Sequence, residues 1–304
     1  MSVGQMPLQG AALAHAVMFT TGHPMASVAV SPQAASVGRL ATAGGDLLRQ
    51  ALAPGRASWS RINTLGPQVV TEPCLVRGAL RISVDDTDGN QRWSAGDRIA
   101  LQATDCVTAP DAPILQGLFA LTLERVDMDD SGQVNALLAS GSMVGFAVGS
   151  SATMDGGFKL WLRNETDFAQ RLRIRYEDML VRRTGQGTLL FDFDVLTLAS
   201  SREVLHTLSG GLVIDGLTYR LEPVDGAPLV LTLGGGLPGS FYEPPSDVWP
   251  RSGALRLLDA AGDALVLRAR PGALLDLEFT PAGASLPTAS LLSQPWSRYL
   301  QPPG

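Results

Sequence analysis

The chain has 304 residues, enough for one large domain or two small ones with a sizeable core. With 45% apolar and 17% charged residues it is too hydrophobic for a disordered segment, and its 33 Gly and 20 Pro suit many short elements joined by turns. A net charge of −6 argues against a nucleic-acid partner, and no run of about 18 apolar residues is present to form a transmembrane helix.

Residues 1–33 carry almost no charge and read as a loosely ordered arm, with a short helix over Gly10 to Met18. His15 and His23 lie there without an acidic or cysteine neighbour, so they read as arm residues and not as metal ligands. The segment 35–53 places Val37, Leu40, Leu47, Leu48 and Leu52 near helical spacing, with Pro54-Gly55 as a stop. A helix packed on a sheet is expected there.

The stretch from Cys74 to Cys106 predicts a β-hairpin. Leu80, Ile82 and Val84 alternate with Arg81 and Ser83, which puts apolar side chains on one face and polar ones on the other. Asp88-Gly89 and Gly96-Asp97 mark an irregular tip, and Arg98 to Ala103 resumes the strand. The only two cysteines sit at the open ends of this hairpin, where antiparallel pairing brings Cα atoms within disulfide reach. Two reduced, buried thiols are the alternative.

Further strands are predicted at Leu115 to Val126, Val134 to Leu138, Ser142 to Val148, Gly157 to Leu162, Arg171 to Tyr176 and Leu189 to Leu198. More follow at Leu212 to Ile214, Thr218 to Glu222 and Leu229 to Leu233. A last hairpin pairs Gly253 to Leu258 with Ala264 to Ala269, and Leu275 to Phe279 closes the series. From Pro281 a Pro- and Ser-rich tail is expected along the surface. A unit of Gly, any residue, then alternating aliphatics recurs at Gly78, Gly117, Gly157, Gly211 and Gly253, too irregularly for a propeller. The expected fold is mainly β: a large twisted antiparallel meander sheet or open barrel with a short N-terminal helix packed on it. It would span 34–280, with a possible division near 164–170, between the arm at 1–33 and the tail at 281–304.

Candidate chemistry is sparse. Asp127-x-Asp129-x-Ser131-Gly132 matches the first half of a calcium loop, but Leu138 stands where a bidentate Glu is needed. Asp86-x-Asp88-x-Asn90 has Gln91 in place of Gly, though Asp97 falls at the twelfth position. Calcium is therefore the one cofactor these turns suggest, and plain acidic turns are the simpler reading. Asp192 and Asp194 point to one side of their strand and would suit a glycan-hydrolysing carboxylate pair. Arg171, Arg173 and Arg175 offer them ion pairs instead. His206 with Ser209 and Asp215 forms no recognisable nucleophile motif, and an ordinary strand-edge histidine is expected. Gly234-Gly235-Gly236 lacks the Lys-Ser/Thr of a phosphate loop. Trp93, Trp161 and Trp249 are expected in the core.

The hairpin also resembles a family. Cys74, Gly78, Asp86, Asp88, Gly89, Gly96, Asp97 and Cys106 follow a C-x3-G, D-x-D-G, G-D and closing Cys pattern. That pattern is similar to uncharacterised proteobacterial envelope proteins, many of them predicted lipoproteins. Trp249 to Leu257 resembles a late strand of the same family. The resemblance implies export to the periplasm or the outer-membrane surface and a β-rich fold, and it brings no activity. It also implies a leader with a lipobox cysteine, and none is visible in this sequence. The expected function is a non-catalytic envelope protein whose concave apolar face either covers a helix or holds a lipophilic ligand. The alternatives are a surface subunit that self-associates by strand edges, and a glycan hydrolase acting through Asp192 and Asp194. Beyond a lipid or envelope component and self-association, no partner is indicated.

Overall fold

The computed structural model describes residues 1–21, 68–74, 76–90, 93–107, 114–128, 134–148, 152–166, 169–183, 187–200, 203–232 and 250–300. The helix expected over 35–53, and with it His23, Asp129, Ser131, Gly234 to Gly236 and Trp249, lies outside the described residues.

The alternating segments form one antiparallel meander sheet. Its strands are β1 (Gln68–Pro73), β2 (Arg77–Asp85), β3 (Arg98–Val107), β4 (Leu115–Met128), β5 (Val134–Val148), β6 (Ala152–Thr166), β7 (Ala169–Arg183) and β8 (Gly187–Ser200). They continue as β9 (Glu203–Ile214), β10 (Leu217–Pro223), β11 (Leu229–Thr232), β12 (Ala254–Asp259), β13 (Ala264–Arg270), β14 (Leu274–Thr280) and β15 (Ala289–Pro295). Each strand pairs with the next in sequence, except that β10 and β11 both pair with β9 and β12 returns to β10. The sheet is open, ending on β1 and β15. β6 and β7 pair from Ala152↔Arg183 to Thr166↔Ala169, so the sheet runs on through the region where a division was expected.

The central strands are far longer than the alternation in sequence indicates: β5, β6 and β7 each have 15 residues. Alternation lapses inside them because each carries a bulge. Register shifts fall between Arg77 and Ala79, Ala103 and Cys106, Gln116 and Leu118, Met143 and Phe146, Asp155 and Gly157, and Arg175 and Met179. Read across the pairings, these shifts form one crease from β2 to β8. A bulge inserts an unpaired residue and bends the strand, so an aligned row of bulges bends the whole sheet. Left-handed backbone at Gly78, Asp105, Gly117, Gly145, Gly156 and Asp178 makes the crease. This explains the glycine unit seen in sequence. Gly78, Gly117 and Gly253 are as read, while Gly156 and Gly210, each one residue earlier than the glycine singled out, carry the positive φ.

The alternate side chains on one face form a single apolar cluster. It includes stacked Phe191 and Phe193 at 4.8 Å, Tyr176 edge-on to Phe191 at 5.8 Å, and Phe119 against Phe158 at 5.6 Å.

The N-terminus corrects the expectation of a loose arm. A short 3-10 turn leads into α1 (Met6–Thr21), which touches β9, β13 and β14 on the apolar face. Met6, Ala12, Leu13 and Ala14 are buried. Gln9 Nε2 donates to Tyr219 Oη at 3.1 Å, and the Met1 ammonium donates to Asp259 and Asp263. The helix expected over Gly10 to Met18 is thus present and longer than read, and its uniformly apolar sequence suits a helix packed against the apolar face of the sheet. The tail is corrected too. It forms β15 and a short helix, α2 (Ser297–Leu300), which packs on α1. Trp296 is fully buried, and its indole donates to Leu274 O at 3.1 Å.

Candidate functional site

The hairpin tip is the most organised polar site among the described residues. Cys74 and Cys106 form a disulfide with Cα atoms 5.5 Å apart. Beside it Cys74 N donates to Gly78 O and Val76 N to Val107 O, so the bridge closes the base of the β2–β3 hairpin. At the other end the tip folds around Asp97, which is 1% exposed. Its Oδ1 accepts from Thr87 N at 2.9 Å and its Oδ2 from Ser94 N at 2.8 Å. Thr87 Oγ1 donates to Gly96 O, and Leu123 N donates to Asp97 O, tying the tip to β4.

Asp86, Asp88 and Asp97 bring carboxylate oxygens within 4.8 Å of one another. Asp86 is buried as well, whereas Asp88 is exposed. Desolvation pushes the Asp88 carboxyl upward, but hydrogen bonds from Asn90 N and Ser94 Oγ outweigh it and leave it below the ordinary carboxylate value. Three carboxylates are the donor chemistry of a hard cation such as calcium. The fold brings the sequence-predicted Asp86, Asp88 and Asn90 together with Asp97, the residue at the twelfth position, from the far side of the tip. Asp97 serves the loop itself through the bonds just described. The second expected loop is different: Asp127 stands exposed near the end of β4, and its partners in sequence fall outside the described residues.

Asp192 and Asp194 lie on the outer face, away from the apolar cluster. Asp194 accepts from Arg173 and Asp192 from Arg175, the latter at 3.5 Å. Arg173 also lies over the Trp161 ring at 5.4 Å, so this tryptophan is on the half-exposed outer face and not in the core. Trp93 packs against the core. Cross-strand neighbours on β6, β7 and β8 thus form an ion-pair lattice on an exposed surface. Carboxylates engaged by guanidinium groups on an open strand face serve as cross-strand ion-pair partners.

His206 departs from expectation. It faces inward, 2% exposed, opposite Thr197 and Leu229 in the ladder. Burial pushes its pKa down to about 3, which keeps the imidazole neutral. Asp215 sits in the β9–β10 turn, where its Oδ1 accepts from Thr188 N at 2.9 Å. The strand separates it from His206, so the two form no catalytic pair.

Sequence reasoning passed over Asp276 and Trp296. Asp276, 3% exposed, accepts from Arg270 Nε at 2.6 Å and Ser293 N at 2.7 Å, and so pins the bulge between β14 and β15. Its only sequence signal was a charge inside an apolar run, LLDLEF.

Together these features define an open antiparallel β-meander protein with a disulfide-closed hairpin and an enclosed N-terminal helix. Compared with protein-family models, curated proteins and solved structures, the chain matches none.

Proposed function

We propose that the chain is a non-catalytic β protein of the bacterial cell envelope, working in an oxidising compartment at the periplasm or outer-membrane surface. The observation that supports this reading is the Cys74–Cys106 bridge, because such bonds persist where thiols are not kept reduced. A membrane-embedded barrel fits poorly. The sheet is open, and its outward face carries Arg173, Arg175, Asp192 and Asp194, whereas a lipid-facing surface is apolar and edge-free. No helix among the described residues is long and apolar enough to cross a membrane. A lipophilic ligand, the finer part of this reading, would have to enter the apolar layer beneath α1, whose side chains the described chain already buries. The hydrolase reading loses its support with the engagement of Asp192 and Asp194 by arginines.

The test is a mass measurement on protein purified from its own host under alkylating, non-reducing conditions. Both cysteines should resist alkylation until a reductant is added, and lipid extraction should recover any bound amphiphile. Two thiols that alkylate at once would overturn the oxidising compartment.

A further inference from the structure

Among the described residues the sheet ends on β1 and β15, each with one neighbour, while β11, off this path, is held by β9 and a single bridge from Val230 to Ser252. An edge strand presents backbone N–H and C=O groups that another chain can pair with. The two edges differ in chemistry. β1 carries Glu72, and beside it β2 carries exposed Arg77 and Arg81. β15 carries no charge, nor does any residue between Glu278 and Arg298. In a chain of net charge −6, an uncharged edge lets two copies meet without like-charge repulsion.

The side chains agree. Among the exposed large apolar residues of the described chain, Leu286 at 73% and Leu292 at 60% are the most exposed, and they lie beside and on this edge. On the inner face Leu275 and Leu277 of β14 are fully buried, but Ala289 and Leu291 of β15 are only partly so. The apolar layer therefore stops unfinished at β15. Natural edges are usually protected by charge, and among the described residues the protection here is the bulge opposite Leu275 to Leu277 and Pro295 at the strand's end.

We infer that β15 is a self-association edge, and that a second copy of this chain lays its own β15 antiparallel to it about a two-fold axis. Such an arrangement is self-complementary: each strand gives and receives the same hydrogen bonds, and Leu291 and Leu292 are covered in both copies. Ser293, with φ 51, and Pro295 confine regular pairing to Ala289–Leu292. The interface is small, so the dimer is a weak one.

This inference does not depend on the compartment proposed above, and its test is separate from the thiol measurement. Sedimentation velocity of the oxidised full chain, from about 1 to 100 µM, should show the mass rising from 32.0 kDa toward twice that value. Leu292→Lys should weaken association at least about tenfold through like-charge repulsion across the pair, with circular dichroism unchanged. Ser290→Lys, at an exposed polar position, should do the same and serves if the first variant misfolds. Val69→Lys on β1 should leave association intact. A wild-type chain that stays monomeric throughout, lysine variants on β15 that associate normally, or a loss confined to Val69→Lys would each overturn the inference.

Discussion

Gly117 on β4 faces the carbonyl of Gly145 on β5 so closely that a Cβ added to Gly117 would lie 2.2 Å from that oxygen. Gly117 also has φ 93, a conformation that L side chains resist. Gly117→Ala should therefore lower stability by roughly 3 kcal/mol, as strain and overpacking act together. Gly4→Ala, with nothing within 4 Å of an added Cβ, is the control and should be near neutral. Urea denaturation of the two variants checks this.

The disulfide spans 32 residues of sequence. In the chain-entropy picture, closing a loop of that size stabilises by roughly 3–4 kcal/mol. Reduction, or a Cys74→Ser/Cys106→Ser double variant, should lower the urea midpoint accordingly. Equal midpoints with and without reductant would show that the bridge does not constrain the unfolded chain.

His206 makes folding pH-dependent in a definite direction. Burial holds its folded pKa near 3 against an ordinary 6.5, so unfolding takes up a proton at any pH between these values. Its contribution is complete above about 6.5 and is lost as pH falls toward 3, at roughly 1.4 kcal/mol per pH unit. Between about 6.5 and 4.5 Asp155 and Asp276, whose carboxyls are held below their ordinary value, stay charged. Urea midpoints measured across that range should fall with pH in the wild type and fall less steeply in His206→Leu.

Two acidic residues that both pair with arginine should behave differently. Asp194 sits on the exposed outer face against Arg173, and Asp194→Asn should cost less than about 1 kcal/mol. Asp276 is buried and holds both Arg270 and the Ser293 amide, and Asp276→Ala should cost roughly 3 kcal/mol and loosen β15. Hydrogen exchange at the amides of 289–295 reports the second effect directly.

Much of the fold was legible because strands with one dry face repeat every two residues. Leu80, Ile82 and Val84, or Phe191, Phe193 and Val195, declare their buried side by spacing alone, and all six are buried. The cysteine pairing was legible for the same reason, since a hairpin brings its own ends together. The length of β6 and β7 was not, because bulges at Gly156 and Asp178 interrupt the alternation in mid-strand. The tip carboxylates were legible as a set, since Asp97 stands at the twelfth position after Asp86, but its burial and its bonds to the Thr87 and Ser94 amides follow only from the loop turning back on itself.

Local alternation and turn chemistry, both carried by neighbouring residues, determined that this chain is an antiparallel β protein with a sulfur-closed hairpin and a charged outer face. The tertiary structure alone decided that the short helix expected in the N-terminal segment packs on the apolar face, and that the Pro-rich C-terminal segment supplies the last strand and a buried tryptophan. It also turned His206 inward. Each of those outcomes depends on burial against residues distant in sequence, and side-chain spacing holds no record of what will lie across the core.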